Sequence, residues 1–169
     1  MTRILGLATI WIALAMAASG IIAAVVGLTR KRPALVVFAM QSVYVNFALL
    51  TLSTAAMIYA LVTHDFSVSY VAQVGSRSTP VFYTIISLWG ALEGSILFWG
   101  WVLAMYSAVV VWTNRKRLGD LVPWSTVALL TICLFFYILL VGPADPWHLV
   151  SPTPMDGPGP NALLQNHIL

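Results

Sequence analysis

Charge is what this chain has least of. Its 169 residues include 8 Lys+Arg and 5 Asp+Glu, so charged types make up 8%, against roughly 25% in an ordinary soluble domain. A chain this poor in charge cannot cover a soluble globule with polar surface, and disordered, collagen-like and coiled-coil classes are excluded with it. Cysteine is nearly absent as well. Cys133 stands alone, which leaves no internal disulfide and no cysteine cage for a metal, and argues against thiol–disulfide transfer. A Gly-rich phosphate loop, a Ser/His/Asp set at useful spacing and a central intramembrane ion pair are all missing, so the residues alone make a weak case for an enzyme or an ion pump. The alternating segments of about ten residues that a membrane β-barrel requires are also lacking. The formal net charge of +3 is small and clustered, and speaks to membrane orientation, not to nucleic acid.

Apolar sequence is what remains: 60% of residues are hydrophobic and the mean hydropathy is +0.93. Four stretches without charge organise the chain, at 4–29, 33–64, 78–114 (interrupted only by Glu93) and 121–144. A helix crosses about 30 Å of hydrocarbon with ~20 residues, so each stretch supplies one crossing and none comfortably supplies two. The reading is an all-α polytopic membrane protein with four transmembrane helices, over about 4–28, 34–62, 81–113 (including an outer interfacial part) and 122–141. Residues 1–144 form that region. Residues 145–169 form an outer Pro/Gly-rich loop and the start of a truncated fifth helix.

Punctuation and charge agree with this division. Pro33 and Pro123 stand near helix starts, where a missing N–H costs nothing, and Ser78-Thr79-Pro80 offers a cap before the third stretch. Trp112 and Trp124 flank the second basic loop at headgroup depth. Six of the eight basic residues lie in two short loops, Arg30-Lys31-Arg32 and Arg115-Lys116-Arg117. A four-span chain puts both on one side, so the positive-inside rule predicts the N-terminus and the C-terminal tail outside. Ala15-Met16-Ala17 resembles a signal-peptide cleavage site, but the apolar run continues to Leu28 and ends in basic residues, the pattern of an N-out span.

Glu93 is the one acidic residue embedded in a hydrophobic stretch. A twenty-residue crossing that ends at Thr113 starts at Gly94, which sets Glu93 at the outer edge of the hydrocarbon, where a carboxylate costs less than at mid-bilayer. Residues 80–92 then extend the same helix outward or form a short helix against the membrane. Gly90 and Gly94, like Ala91 and Ser95, are four apart and predict small rows on which another helix packs. Trp89 lies one turn above Glu93, with Trp99 and Trp101 below. Two readings stay open: a tight helix pair with an interfacial glutamate, or an outer site for a flat hydrophobic ligand or a partner protein.

The outer segments are less regular. Residues 63–79 alternate partly and suggest a short strand or interfacial ribbon, with His64 as a polar helix cap. Six of the nine prolines fall within 143–160, giving a rigid, turn-rich loop, after which 162–169 reads as a helix start. His148 and His167 are imidazoles that could ligate haem iron or zinc, yet further ligands at useful spacing and a Cys-x-x-Cys-His haem attachment are missing.

Two blocks carry a resemblance. Trp89-Gly-Ala-Leu-Glu-Gly-Ser-Ile-Leu-Phe-Trp99 and Pro152-Thr-Pro-Met-Asp-Gly-Pro-Gly-Pro-Asn-Ala-Leu-Leu-Gln-Asn166 resemble, in order and separation, two blocks of the cytochrome c maturation haem lyase family of the CcmF type, related to CcsA. The resemblance implies a bacterial inner-membrane protein of cytochrome c-type biogenesis that handles haem at the outer face and supports its attachment to apocytochrome c. Haem would be the cofactor of the complete protein. The partners implied are a haem chaperone, thiol-handling subunits, apocytochrome c and the remainder of the family protein in the same or a separate chain. The residues carried over are Trp89, Gly90, Glu93, Gly94, Ser95 and Trp99, then Asp156, Gly157, Asn161, Leu164, Gln165 and Asn166. They are expected to shape the outer face, not to ligate haem or make bonds, and the chain alone is expected to be inactive. The family's tryptophan-rich platform and external histidine ligands lie beyond these blocks, and His64, His148 and His167 match none of them. Leu92 stands where many members have a polar residue. The alternative is a small helical subunit of a membrane transporter or respiratory complex without a haem role; a stand-alone haem-binding membrane protein is a third reading.

Overall fold

The computed structural model describes residues 2–115 and 121–158. Every regular element in them is helical: α1 (Thr2–Thr29), α2 (Pro33–Val62), α3 (Ser69–Val74), α4 (Val81–Ile86), a 3-10 turn (Ser87–Trp89), α5 (Leu92–Asn114) and α6 (Leu121–Val141). Four of these, α1, α2, α5 and α6, are long and apolar enough to cross a membrane. They close a ring in which α1 packs between α2 and α6, and α5 fills the place opposite α1, also between α2 and α6.

The seam of α1 explains how the helices approach. Gly6, Ile10, Ala13, Ala17, Gly20, Ala24 and Gly27 are all buried and recur at alternating steps of four and three, the spacing of a left-handed helix pair. Six of the seven are Gly or Ala. In lipid, where apolar burial gives little drive for helix association, small residues work by letting backbones come close. A Cβ at Gly20 would strike Ser42 Oγ, and one at Gly6 would strike the Trp147 indole. Ile10, Leu50, Met57, Leu97, Leu130 and Leu140 fill the interior around this seam.

Helix ends are closed by backbone geometry. At the end of α1, Lys31 has φ 51°; Arg32 N–H donates to Gly27 O at 2.8 Å and Lys31 N–H to Leu28 O at 3.4 Å. This is a Schellman turn, with its left-handed residue in a basic loop. The same turn ends α2. There His64 has φ 54°, while Asp65 N–H donates to Ala60 O at 3.0 Å and His64 N–H to Leu61 O at 3.2 Å.

Segment 63–79 differs from the strand or ribbon expected of it. Its centre is α3, and pairing is confined to one antiparallel bridge, Val68 with Leu149. Alternation holds only at its start, where Phe66, Val68 and Tyr70 are buried around the bridge; from Tyr70 the buried residues, Tyr70, Val71 and Val74, follow helical spacing. The proposed fifth helix at 162–169 and the basic Lys116 and Arg117 lie outside the described residues.

Candidate functional site at the capped end of the bundle

One end of the bundle carries a cap built from segments 63–80 and 142–158, and the start of α1 is tied into it. Thr2 Oγ1 donates to Asp65 Oδ2 at 3.2 Å, and Arg3 Nε donates to the Trp147 carbonyl at 2.9 Å. Trp147, in the proline-rich segment, is fully buried against Gly6, and its backbone N–H donates to Asp145 Oδ1 at 2.9 Å, while its indole Nε1 has no hydrogen-bond partner among the described residues. The two cap segments are stitched by Ser69 N–H to His148 O (2.8 Å) and Val150 N–H to Ser67 O (3.1 Å).

The first motif block does not form one helix. α4 and the 3-10 turn stop at Gly90, and Ala91 is extended at φ −137° and ψ 175° before α5 begins at Leu92. The sequence left a continuous outer extension and a separate short helix open; the second is found. The small row of Gly90 and Gly94 is therefore interrupted, and neither of these glycines serves a membrane-helix contact. A Cβ on Gly94 would strike the Tyr70 ring and Leu88 O.

Tyr70 is the residue that holds this elbow. Its single hydroxyl proton is shared between Ser87 O and Leu88 O, both at 2.8 Å, and its oxygen accepts from Ala91 N–H at 3.3 Å. Backbone groups freed by the helix break thus find their partner in a side chain from α3, as buried backbone groups must. Burial pushes the Tyr70 hydroxyl well above the ordinary tyrosine range; the Ala91 hydrogen bond acts against that rise and the Glu93 carboxylate adds to it. Ser95 Oγ adds a second tie, donating to Trp89 O at 3.0 Å.

Glu93 occupies the first turn of α5, where the positive end of the helix dipole favours a carboxylate. Its Oε2 is buried and has no hydrogen-bond partner among the described residues. Aromatic rings line the flank of the elbow: Trp89 stands 5.1 Å from Phe98, Phe98 stands 6.0 Å from Trp101, and Trp101 donates through Nε1 to Thr51 Oγ1 at 3.0 Å. Trp99 is 60% exposed and takes no part in that row except through Phe98, at 6.4 Å.

Asp156, from the second block, joins the same cap segment. Arg77 N–H donates to its Oδ1 at 3.0 Å and Ser76 Oγ to its Oδ2 at 3.4 Å. The Arg77 hydrogen bond is the largest influence holding its carboxyl below the usual range. Gly157 packs so closely that a Cβ would strike Gly75 O and come within 2.9 Å of Ala72 O. Segment 63–80 therefore touches both motif blocks, one through Tyr70 and the other through Ser76 and Arg77. Asn161, Leu164, Gln165, Asn166 and His167 lie outside the described residues.

The two described histidines, His64 and His148, fit a structural role better than a ligand set. His64 is the left-handed residue of its Schellman turn, its Nε2 lies 3.2 Å from Ser76 O, and its ring stands 6.0 Å from Phe66. His148 is exposed, with its carbonyl in the stitch to Ser69. No group of three or more His, Cys, Asp or Glu converges among the described residues. His64 and His148 do not by themselves fit an axial haem pair. Tyr70, Trp147 and Ser76 were not singled out as site residues by sequence. The available signals were the helical spacing of Tyr70 with Val71 and Val74, and a tryptophan set among prolines.

Four apolar helices in a closed ring, with a hydrogen-bonded cap at one end, define an integral, polytopic α-helical membrane protein. Comparison with known proteins carries this further. The chain is 31% identical over 140 residues to the cytochrome c-type biogenesis protein NrfE of Haemophilus influenzae, a match covering 83% of this chain and 22% of the relative. It is 32% identical over 145 residues to the cytochrome c-type biogenesis protein CycK of Rhizobium meliloti, covering 84% and 21%. A solved structure of the cytochrome c haem lyase CcmF superposes with a TM-score of 0.81 at 29% identity, over 88% of this chain and 25% of that one. No protein-family model matches. The chain is homologous to the N-terminal portion of the CcmF/NrfE-type cytochrome c maturation haem lyase family, and spans about a fifth to a quarter of the length of these relatives.

Proposed function

We propose that this chain works in cytochrome c-type biogenesis at the outer face of a bacterial cytoplasmic membrane, where it supports the covalent attachment of haem to apocytochrome c. It does so with the remainder of the family protein, in the same or another chain, and with a haem chaperone, thiol-handling subunits and apocytochrome c. The observation that carries this reading is the convergence of both family blocks on segment 63–80: Tyr70 holds the elbow before Glu93, and Ser76 and Arg77 hold Asp156. Trp89, Glu93, Trp99 and Asp156, with Asn161 and Gln165, then shape the outer face, and haem ligands come from elsewhere. Orientation is part of the proposal. The basic turn at Arg30-Lys31-Arg32 and the loop beginning at Arg115 belong to the end opposite the cap, so the positive-inside rule turns the cap outward.

The test is an in-frame deletion in the source organism. It should abolish haem-stained c-type cytochromes, leave b-type cytochromes intact, and be reversed by the wild-type gene. Normal c-type cytochromes in the deletion strain, together with co-purification of the chain with a transporter or respiratory complex, would overturn the reading.

A further inference from the structure

Beside the elbow, a groove of about 370 Å³ opens between α2, α4 and α5 on the outward-facing surface of the bundle. Thr51, Ala55, Ile85 and Trp89 form its exposed rim, and Leu88 and Thr54, 4% and 6% exposed, form its floor. Phe98 and Trp101 close one side. Its exposed wall is apolar: the Thr51 hydroxyl is already engaged, donating to Phe47 O at 2.7 Å and accepting from Trp101 Nε1 at 3.0 Å, while the Thr54 hydroxyl is buried at the floor without a hydrogen-bond partner among the described residues.

We infer that this groove is a binding site for one acyl chain of a membrane phospholipid. The groove is continuous with the apolar surface that the four candidate spans turn to the bilayer, since Leu52, Tyr59 and Trp99 around it are exposed. A void there would forfeit the dispersion contacts of its lining. Its size selects the occupant. On α2 it runs from Thr51 to Ile58, about 10 Å at 1.5 Å per residue, whereas a packing helix is itself about 10–12 Å wide and needs a longer seam. A flexible polymethylene chain fits this short groove and matches the apolar surface it exposes. This inference rests on the groove and the membrane alone, not on the cytochrome reading.

The full chain, extracted from membranes in mild detergent and analysed by native mass spectrometry, should retain one phospholipid per chain. Ala55→Trp fills the groove from an exposed rim position, where a larger apolar side chain does not threaten folding, and should lower that retention at least fivefold. Val45→Trp, on exposed surface of the same helix away from the groove, should leave it unchanged. Equal retention in wild type and Ala55→Trp would overturn the inference. So would a wild-type chain that retains no lipid, or one that carries a non-lipid apolar molecule or a peptide displaced by Ala55→Trp.

Discussion

Tyr70 shows how one hydroxyl can hold a break in a helix. It serves two carbonyls and one N–H around the elbow, and its ring occupies the space left by the missing Cβ of Gly94. Gly90 N–H also donates to Ser87 O at 2.9 Å, so Tyr70→Phe removes this partner chiefly from Leu88 O and Ala91 N–H. Buried groups left without partners cost about 1–3 kcal/mol. The variant should lower the thermal midpoint of the detergent-solubilised protein, read by fluorescence-detected size exclusion, while leaving the four spans inserted. Gly94→Leu should do more harm, because the new side chain meets a ring and a carbonyl with nowhere to go. Glu93→Gln should leave protein levels normal; if the carboxylate has an electrostatic role, haem attachment in the assembled system falls. Equal and negligible effects of Gly94→Leu and Glu93→Gln would remove any importance from this block. Asp156 adds a pH dependence. Its folded carboxyl is held below the usual range, so its contribution to holding segment 151–158 is full above that range and is lost as pH falls through the lowered value. Limited proteolysis at acid pH should cut this segment faster than at neutral pH, and Asp156→Asn should flatten the difference.

Among the elements, α1 shows why a membrane helix can be legible as a span and opaque as a packing surface. Its length and lack of charge identified it, and the same arithmetic found α2, α5 and α6. Its seam of glycine and alanine was equally present in the sequence, but small residues carry weight only against a known neighbour. Gly6 matters because Trp147, 141 positions later, lies on it. Gly6→Leu and Gly20→Leu should therefore each destabilise the ring by roughly 1–3 kcal/mol, the usual cost of overpacking, and should yield aggregated protein in size exclusion. Ile22→Leu, on the exposed side of the same helix, should not. The elbow was hidden for a related reason. Glu93 and its glycines were visible as a motif, and helical spacing within 89–99 invited a continuous row. The contact that breaks it comes from Tyr70, about twenty residues upstream, and no local pattern encodes that. His64 was legible as a residue at a helix end, but its ring turns to Ser76 O and not to the helix, and its left-handed backbone was not legible, since a Schellman turn usually holds glycine.

At the scale of the whole molecule, the path of the chain fixes a relation that does not depend on which way it sits in the membrane. The start of α1, the end of α2, the start of α5 and the end of α6 share one end with the cap, through Thr2–Asp65, Arg3–Trp147 and Ser69–His148. The Lys31 turn and Arg115 share the other. Single cysteines can separate that relation from its absolute sense. Cys133 is buried beside Ser107, at 3.9 Å, so Cys133→Ser gives a mild background in which Lys31→Cys and His148→Cys report from exposed positions. A membrane-impermeant maleimide applied to spheroplasts should label position 148 at least tenfold more than position 31, and inverted vesicles should reverse the ratio. If the ratios come out interchanged, the ring stands but the cap faces inward, and a role at the outer face falls with it. If both positions label from the same side, the four-crossing path itself is wrong. The basic residues argue for the first outcome, because retaining three adjacent positive charges on the inner side is favoured by the rule that orients short loops.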